Sequence, residues 1–288
     1  MERYDIALLG GDARTAYMEM YFAMNGYSVI CYGTENINEE EHGASYANSL
    51  KEAVEQARIV VGGIPLFKGG ILYTKQEITD VTEDILFKCM REDQELFGGV
   101  ISEDFAKKCE ENKIYCYDFM KDEAFVIFNT IATAEGTVLE ALKNQKTNLH
   151  GSSGLVLGYG RCGKVLAEKL KGMDQRVTVC GRNLNSLAQA DAFGLTTLSW
   201  DDLEKQIGNY EYIYNTVPAV VLGKDLLLKI RKDALILDIA SAPGGVDYAF
   251  AKEIGINALH LPGLPGKYAP KISAKAMVEY VTLMNTCA

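Results

Sequence analysis

Histidine is the scarcest chemistry-bearing residue here: His42, His150 and His260 are the whole supply. No two are spaced as a pair and no H-E-x-x-H occurs, so a histidine-built metal site has no ligands and we expect no metal. G-x-S-x-G and P-loop sequences are missing too, which leaves hydrolase and kinase chemistry without a motif. Seven cysteines, at positions 31, 89, 109, 116, 162, 180 and 287, are odd in number, scattered and never spaced C-x-x-C, so they read as reduced thiols. Cys162 alone stands at a helix start beside a glycine-rich turn, where a thiol can be acidified; otherwise it is a small packing residue. Basic residues are in deficit, 29 Lys and Arg against 39 Asp and Glu, and nowhere cluster. That excludes general attraction to nucleic acid or anionic membrane, so an anionic substrate would have to be drawn by local donors. No basic segment precedes an apolar core near Met1, and no stretch reads as a membrane span, which together imply a soluble cytoplasmic protein.

What is present is ample core: 288 residues, 48% hydrophobic, enough for two domains. Apolar runs alternate with amphipathic stretches, the pattern of α/β sheets covered on both faces. In the first part we read strands at Asp5–Leu9, Ser28–Tyr32, Ile59–Gly62, Leu96–Val100 and Ile114–Tyr117, with loops at Asn36–Gly43 and Pro65–Gly70. A helix over Phe128–Leu142 leads to Gly151-Ser152-Ser153-Gly154. Strands are then expected at Leu155–Leu157, Arg176–Cys180, Thr196–Thr197, Tyr212–Asn215, Ala234–Ile239 and Ala258–Leu261, before a last helix from Ser273 to Cys287. The expected fold is therefore two doubly wound Rossmann-like domains with a cleft between them, the second binding a dinucleotide. Residues 1–127 form the N-terminal substrate domain, 128–271 the NAD(P)-binding domain, and the helix 272–288 returns to the first.

The second domain carries the strongest signal. Leu155-Val156-Leu157 runs into Gly158-Tyr159-Gly160-Arg161-Cys162-Gly163, a strand followed by G-x-G-x-x-G that opens a helix, where free N–H groups meet a pyrophosphate. About 20 residues on, an NAD site usually places Asp or Glu against the ribose 2′-hydroxyl. This chain has Gly181-Arg182-Asn183 instead. With no carboxylate to repel a 2′-phosphate and Arg182 able to pair with it, the pattern favours NADP over NAD, and Asn183 and Ser186 can add hydrogen bonds unless Asn183 simply caps the next helix.

Other loops follow strand ends, where open α/β sheets bind ligands. Gly10-Gly11-Asp12-Ala13-Arg14 offers backbone N–H groups and a guanidinium to a carboxylate. Asn215-Thr216-Val217-Pro218 stands where nicotinamide enzymes place a loop against the nicotinamide ribose. Asp238 to Gly245 ends in two glycines that permit close backbone approach. Leu261 to Lys271 holds three of the six prolines; we expect a stiff loop presenting Lys267 and Lys271 to an acidic substrate. Glu135, on the bridging helix, is a further polar candidate.

These motifs resemble the dipicolinate synthase A subunits of spore-forming bacteria, nearly end to end. The resemblance rests on Gly10-Gly11-Asp12-Ala13-Arg14, Glu135-Gly136-Thr137, the glycine loop, Pro243-Gly244-Gly245-Val246-Asp247, and Pro262-Gly263-Leu264-Pro265-Gly266 with Ala269-Pro270-Lys271. It implies oxidation of a dihydrodipicolinate-type lysine-pathway intermediate to dipicolinate in the mother-cell cytoplasm during sporulation, in partnership with a flavoprotein-like B subunit. Arg14, Lys267 and Lys271 become the candidate carboxylate ligands, and Asp12, His260 and Lys271 the candidate proton acceptors. Two positions depart from the family pattern: Ala242, where Arg is frequent, and Ala132, where Pro is frequent. Two other readings compete: a two-domain NADP-dependent reductase of hydroxyacid or shikimate type, and a non-catalytic cofactor-binding component of a flavoprotein complex. A homo-oligomer is left open.

Overall fold

In the computed structural model the described residues are 3–36 and 43–287, with side chains described to residue 285. His42 and most of the expected loop at Asn36–Gly43 lie outside them, as does the Cys287 side chain. The elements run β1 (Tyr4–Leu9), α1 (Ala13–Met24), β2 (Val29–Tyr32), β3 (Ser45–Tyr46), α2 (Leu50–Glu55), β4 (Ala57–Gly62), β5 (Phe67–Lys68), β6 (Ile71–Leu72), α3 (Glu83–Cys89), β7 (Glu95–Gly98), α4 (Glu103–Glu111), β8 (Tyr115–Asp118) and α5 (Glu123–Asn144). They continue with β9 (Ser153–Leu157), α6 (Arg161–Gly172), β10 (Arg176–Gly181), α7 (Leu184–Ala192), β11 (Thr196–Ser199), α8 (Leu203–Gln206), β12 (Tyr212–Asn215), α9 (Lys224–Leu227), β13 (Leu235–Asp238), α10 (Tyr248–Glu253), β14 (Asn257–His260), α11 (Leu264–Tyr268) and α12 (Pro270–Cys287). Two compact units result, one of residues 1–126 with 269–288, the other of residues 127–268.

Each unit is built on a six-stranded parallel sheet, ordered β3-β2-β1-β4-β7-β8 in the first and β11-β10-β9-β12-β13-β14 in the second. Parallel strands joined by helices are buried on both faces, so they read as unbroken apolar runs. In β1, Ala7 and Leu9 join one core with Leu50, Val54, Leu86 and Phe105, whereas Ile6 and Leu8 join the opposite one with Met18, Phe22, Met277, Val278 and Val281. Thus α12 packs with α1 on one face of the first sheet. In β9, Val156 faces Ala134, Leu166 and Leu170, while Leu155 and Leu157 face Leu203, Leu227 and Ile236. Both sheets are Rossmann-like, as expected from the alternation of apolar runs.

Two local expectations change, and one helix meets the length and composition of a membrane span. The segment Pro65–Gly70 is not all loop: Phe67–Lys68 pairs antiparallel with Ile71–Leu72 across Gly69-Gly70, both at positive φ, the demand of a tight two-residue hairpin. The stiff loop from Leu261 to Lys271 is largely helical. Pro265 is the second residue of α11 and Pro270 the first of α12, positions where a helix makes no use of the missing N–H. Finally, α5 is, by length and composition, apolar enough to cross a membrane, although no such span was read in the sequence. Half of that stretch is buried: Phe125 and Val126 pack in the first unit's core, Ala134 and Ala141 in the second's.

Candidate active site

At the carboxyl ends of β9 and β10 the second unit opens a cavity of about 280 Å³ lined by Gly158, Tyr159, Gly160, Gly181, Arg182, Asn183, Ser186, Trp200, Val217 and Val221. Its floor is the turn from β9 into α6. Gly158 has φ +91°, and a Cβ there would lie 2.6 Å from Thr216 Oγ1; a Cβ on Gly163 would lie 2.3 Å from the Gly158 carbonyl oxygen. Gly163 therefore lets α6 press against the strand. Gly160 differs: a Cβ there meets nothing within 4 Å, so its backbone faces open space. Gly160 caps α6 with no side chain bonded to the helix end, which leaves first-turn N–H groups at the cavity without an intrahelical acceptor. The +0.5 end of a helix dipole adds to them. This is the cradle a pyrophosphate requires, and the residues present fit a dinucleotide.

The far wall supplies a cation. Arg182, exposed, carries its guanidinium 4.8 Å from the centroid of the Trp200 ring. It is the only charged side chain among the ten that line the cavity. Asn183 caps α7, its Oδ1 accepting from Ser186 N at 3.1 Å, and still lines the cavity, so capping and ligand contact are not exclusive here. Cys162 is half-buried beside the loop, and burial raises its thiol above the ordinary range in spite of Arg161. Burial disfavours the thiolate form, which fits the reading of Cys162 as a small packing residue.

Asn215 and Thr216 act inside the protein. Asn215 is fully buried; its Nδ2 donates to Val217 O (3.0 Å) and Asp238 Oδ1 (2.9 Å), and its Oδ1 accepts from Val217 N (3.1 Å). Thr216 Oγ1 donates to Leu157 O at 2.9 Å. Together they fix the turn that brings Val217 to the cavity, while Pro218 stays exposed. Behind Asn215 stands Asp238, buried completely and accepting also from Ala240 N (3.0 Å), Gly245 N (2.5 Å) and Tyr248 Oη (2.5 Å). Burial and the neighbouring Asp238 carboxylate push the Tyr248 phenol well above its usual range. Sequence reasoning missed this hub. The available signal was that parallel pairing of the two strands places Asn215 opposite Asp238.

Other candidates are not among the residues that line this cavity. Lys267 donates to Glu140 Oε1 at 2.6 Å and Tyr268 bonds the same carboxylate, so both tie α11 to α5. These donors hold the Glu140 carboxyl below its usual range. Glu135 pairs with Lys169 at 2.8 Å. His260 Nε2 is 3.3 Å from Ala240 O, with its ring centroid 5.6 Å from that of Tyr248. In the first unit, Asp12 caps α1 and accepts from Arg14 Nε and Nη2, both at 2.8 Å, while Arg14 Nη2 also donates to Ile64 O at 2.6 Å. Arg14 is buried; Lys271 is exposed, its ammonium 5.8 Å from the Tyr17 ring centroid.

Residues 5–120 match the profile of the N-terminal domain of the dipicolinate synthase A subunit. A relative from Bacillus subtilis, the dipicolinate synthase A subunit of that organism, is 27% identical over 283 residues, spanning 96% of this chain and 94% of that protein. Along nearly its whole length the chain is thus similar to the dipicolinate synthase A subunit, and its first part matches that subunit's N-terminal domain. Two crystal structures share the fold of this chain. One is the dipicolinate synthase A subunit from Bacillus subtilis, at 26% identity and TM-score 0.83, covering 99% of this chain and 97% of that one. The other is its counterpart from Bacillus halodurans, at 23% identity and TM-score 0.85, covering 97% of each. The similarity to the dipicolinate synthase A subunits therefore covers both sheets and the glycine loop between β9 and α6.

Proposed function

We propose that this chain is an NADP-dependent oxidoreductase that oxidises a dihydrodipicolinate-type dicarboxylate to dipicolinate, acting in the sporulating cell's cytoplasm with a dipicolinate synthase B subunit. The supporting observation is the cavity beside Gly160: helix N–H groups at one end, Arg182 at the other, and no carboxylate in its lining. Bound NADP supplies the hydride acceptor. The protein's own task is to hold a flat ring with two carboxylates and to take up one proton, since aromatisation releases a hydride from one ring carbon and a proton from the adjoining position.

Arg14 and Lys271 are the proposed carboxylate ligands. Arg14 is held rigid by Asp12 and Ile64 through Nε and Nη2, which leaves its Nη1 edge for a substrate oxygen. Lys271 opens α12, beside Tyr17 of α1. Asp12 is committed to Arg14, and Lys271 keeps its proton to hold a carboxylate, which turns the choice of proton acceptor toward His260, bonded to Ala240 O through Nε2 alone, or solvent. Lys267 contributes less than the motif implied, because its ammonium is committed to Glu140.

The deciding experiment couples a dihydrodipicolinate-producing enzyme to the purified chain and follows dipicolinate absorbance with NADP, with NAD or with neither, and with or without the B subunit. NADP-dependent formation supports the proposal. Formation that needs the B subunit but no nicotinamide would sink it and make this chain a substrate-holding partner. Arg14→Ala and Lys271→Ala are expected to raise KM about tenfold or more, the loss of one charge-assisted contact each; unchanged kinetics in both would remove them from the site.

A further inference from the structure

Trp200 is the single tryptophan of the chain, and it stands in the wall of the cavity. Its position follows from pairing. Strands β10 and β11 are parallel with Gly181 opposite Ser199, so the next residue on each, Arg182 and Trp200, emerge side by side at the carboxyl edge. Ser199 then locks the turn: its hydroxyl accepts from Asp202 N at 3.3 Å and donates to Asp202 Oδ2 at 2.8 Å, which fixes the short helical turn Trp200–Asp202. One part of the indole packs against the core containing Leu203, Ile207 and Leu222. Arg182 lies over the ring, 4.8 Å from its centroid.

We infer that Trp200 is a specificity-determining residue, a platform that holds the Arg182 guanidinium where a 2′-phosphate is to be bound. An exposed arginine on a turn samples many rotamers, and ordering it on binding costs side-chain entropy. A ring face beneath the guanidinium restricts those rotamers in advance and leaves the in-plane N–H donors directed outward, which is the geometry a phosphate needs. The inference rests on the NADP reading and adds a residue that does not itself touch the phosphate: Trp200 is a positioning residue and acts through Arg182.

The test measures 2′,5′-ADP and 5′-AMP binding to the full chain by calorimetry, so that the affinity ratio isolates the 2′-phosphate. We expect the wild type to prefer 2′,5′-ADP. Trp200→Leu, which keeps an apolar anchor, should lose about two- to fivefold of that preference, the size of an exposed cation–π contact, and Trp200→Phe should recover part of it. Arg182→Leu should abolish it. A Trp200→Leu ratio equal to wild type overturns the role of Trp200 and leaves the NADP reading intact. A wild-type ratio near one overturns both. A second readout requires no variant: at saturation, 2′,5′-ADP should change the emission of this lone tryptophan more than 5′-AMP does, because only the former draws on the guanidinium above it. Equal changes would count against the inference even if the Leu variant failed to fold.

Discussion

After β1 the chain turns through Gly10 and Gly11 into α1; after β9 it turns through Gly158 and Gly160 into α6. The two sheets have the same strand order about these turns, yet one loop is filled and the other is open. A Cβ on Gly11 would lie 1.7 Å from Thr15 Oγ1 and 3.4 Å from Gly63 Cα, and one on Gly10 would lie 2.5 Å from the Tyr73 carbonyl oxygen. Asp12 and Arg14 then clasp each other and Ile64 across that loop. Around Gly160, by contrast, there is space. Glycine thus serves two purposes on one topology: to let protein pack against protein in the first unit, and to let a ligand reach the backbone in the second. A doubly wound sheet does not by itself make a dinucleotide site; the contents of its first loop do.

That contrast can be broken, or sharpened, by substitution. The largest effect is expected behind the open loop, at Asp238→Ala. Removing a buried acceptor with four donors should cost roughly 3–5 kcal/mol of stability in the second unit, seen as a lower denaturation midpoint. Gly11→Ala comes next. Its φ of +83° and the Thr15 hydroxyl in the way should cost about 2–4 kcal/mol by the same assay, while dinucleotide affinity, a property of the other unit, is kept. Gly160→Val should do the reverse: a change in stability below about 1 kcal/mol, and dinucleotide binding weakened on the order of a hundredfold by calorimetry as the side chain enters the phosphate space. If Gly160→Val binds normally, the open loop is not the cofactor site. If Gly11→Ala is as stable as wild type, the filled loop is not tightly packed.

The smallest effect concerns Glu140, whose carboxyl is held low by Lys267 and then by Tyr268. A carboxyl with a lowered folded pKa contributes stability above its unfolded pKa, and that contribution is lost as pH falls through the lowered value. Melting curves from pH 7 down to pH 3 should therefore show an acid-side loss, small because the Lys267 ammonium is more than half exposed, that Glu140→Gln lacks. Parallel curves for the two proteins would remove the ion pair from the account of how α11 is held.

Much of this was legible in the chain. Parallel strands buried on both faces announce themselves as runs such as Ile6-Ala7-Leu8-Leu9 and Leu155-Val156-Leu157, and the glycine loop between β9 and α6 was read from spacing alone. The prolines from Pro262 to Pro270 misled, because proline marks a helix start as readily as a loop. At Cys162 sequence shows a helix N-terminus, whereas the burial that raises its thiol comes from the packing of the folded chain.

Local sequence determined what adjacent residues can settle among themselves: strand, turn, helix start, the missing carboxylate at Gly181-Arg182-Asn183, and the motifs that carry the family resemblance. Tertiary structure decided which of two glycine loops stays open, that Asn215 is a buried bracket joined to Asp238, that Lys267 is committed to Glu140, and that Arg182 rests on Trp200. Each of those outcomes pairs groups brought together by strand register or helix packing, and the energy of such a contact depends on separations of a few ångströms that sequence distance does not encode.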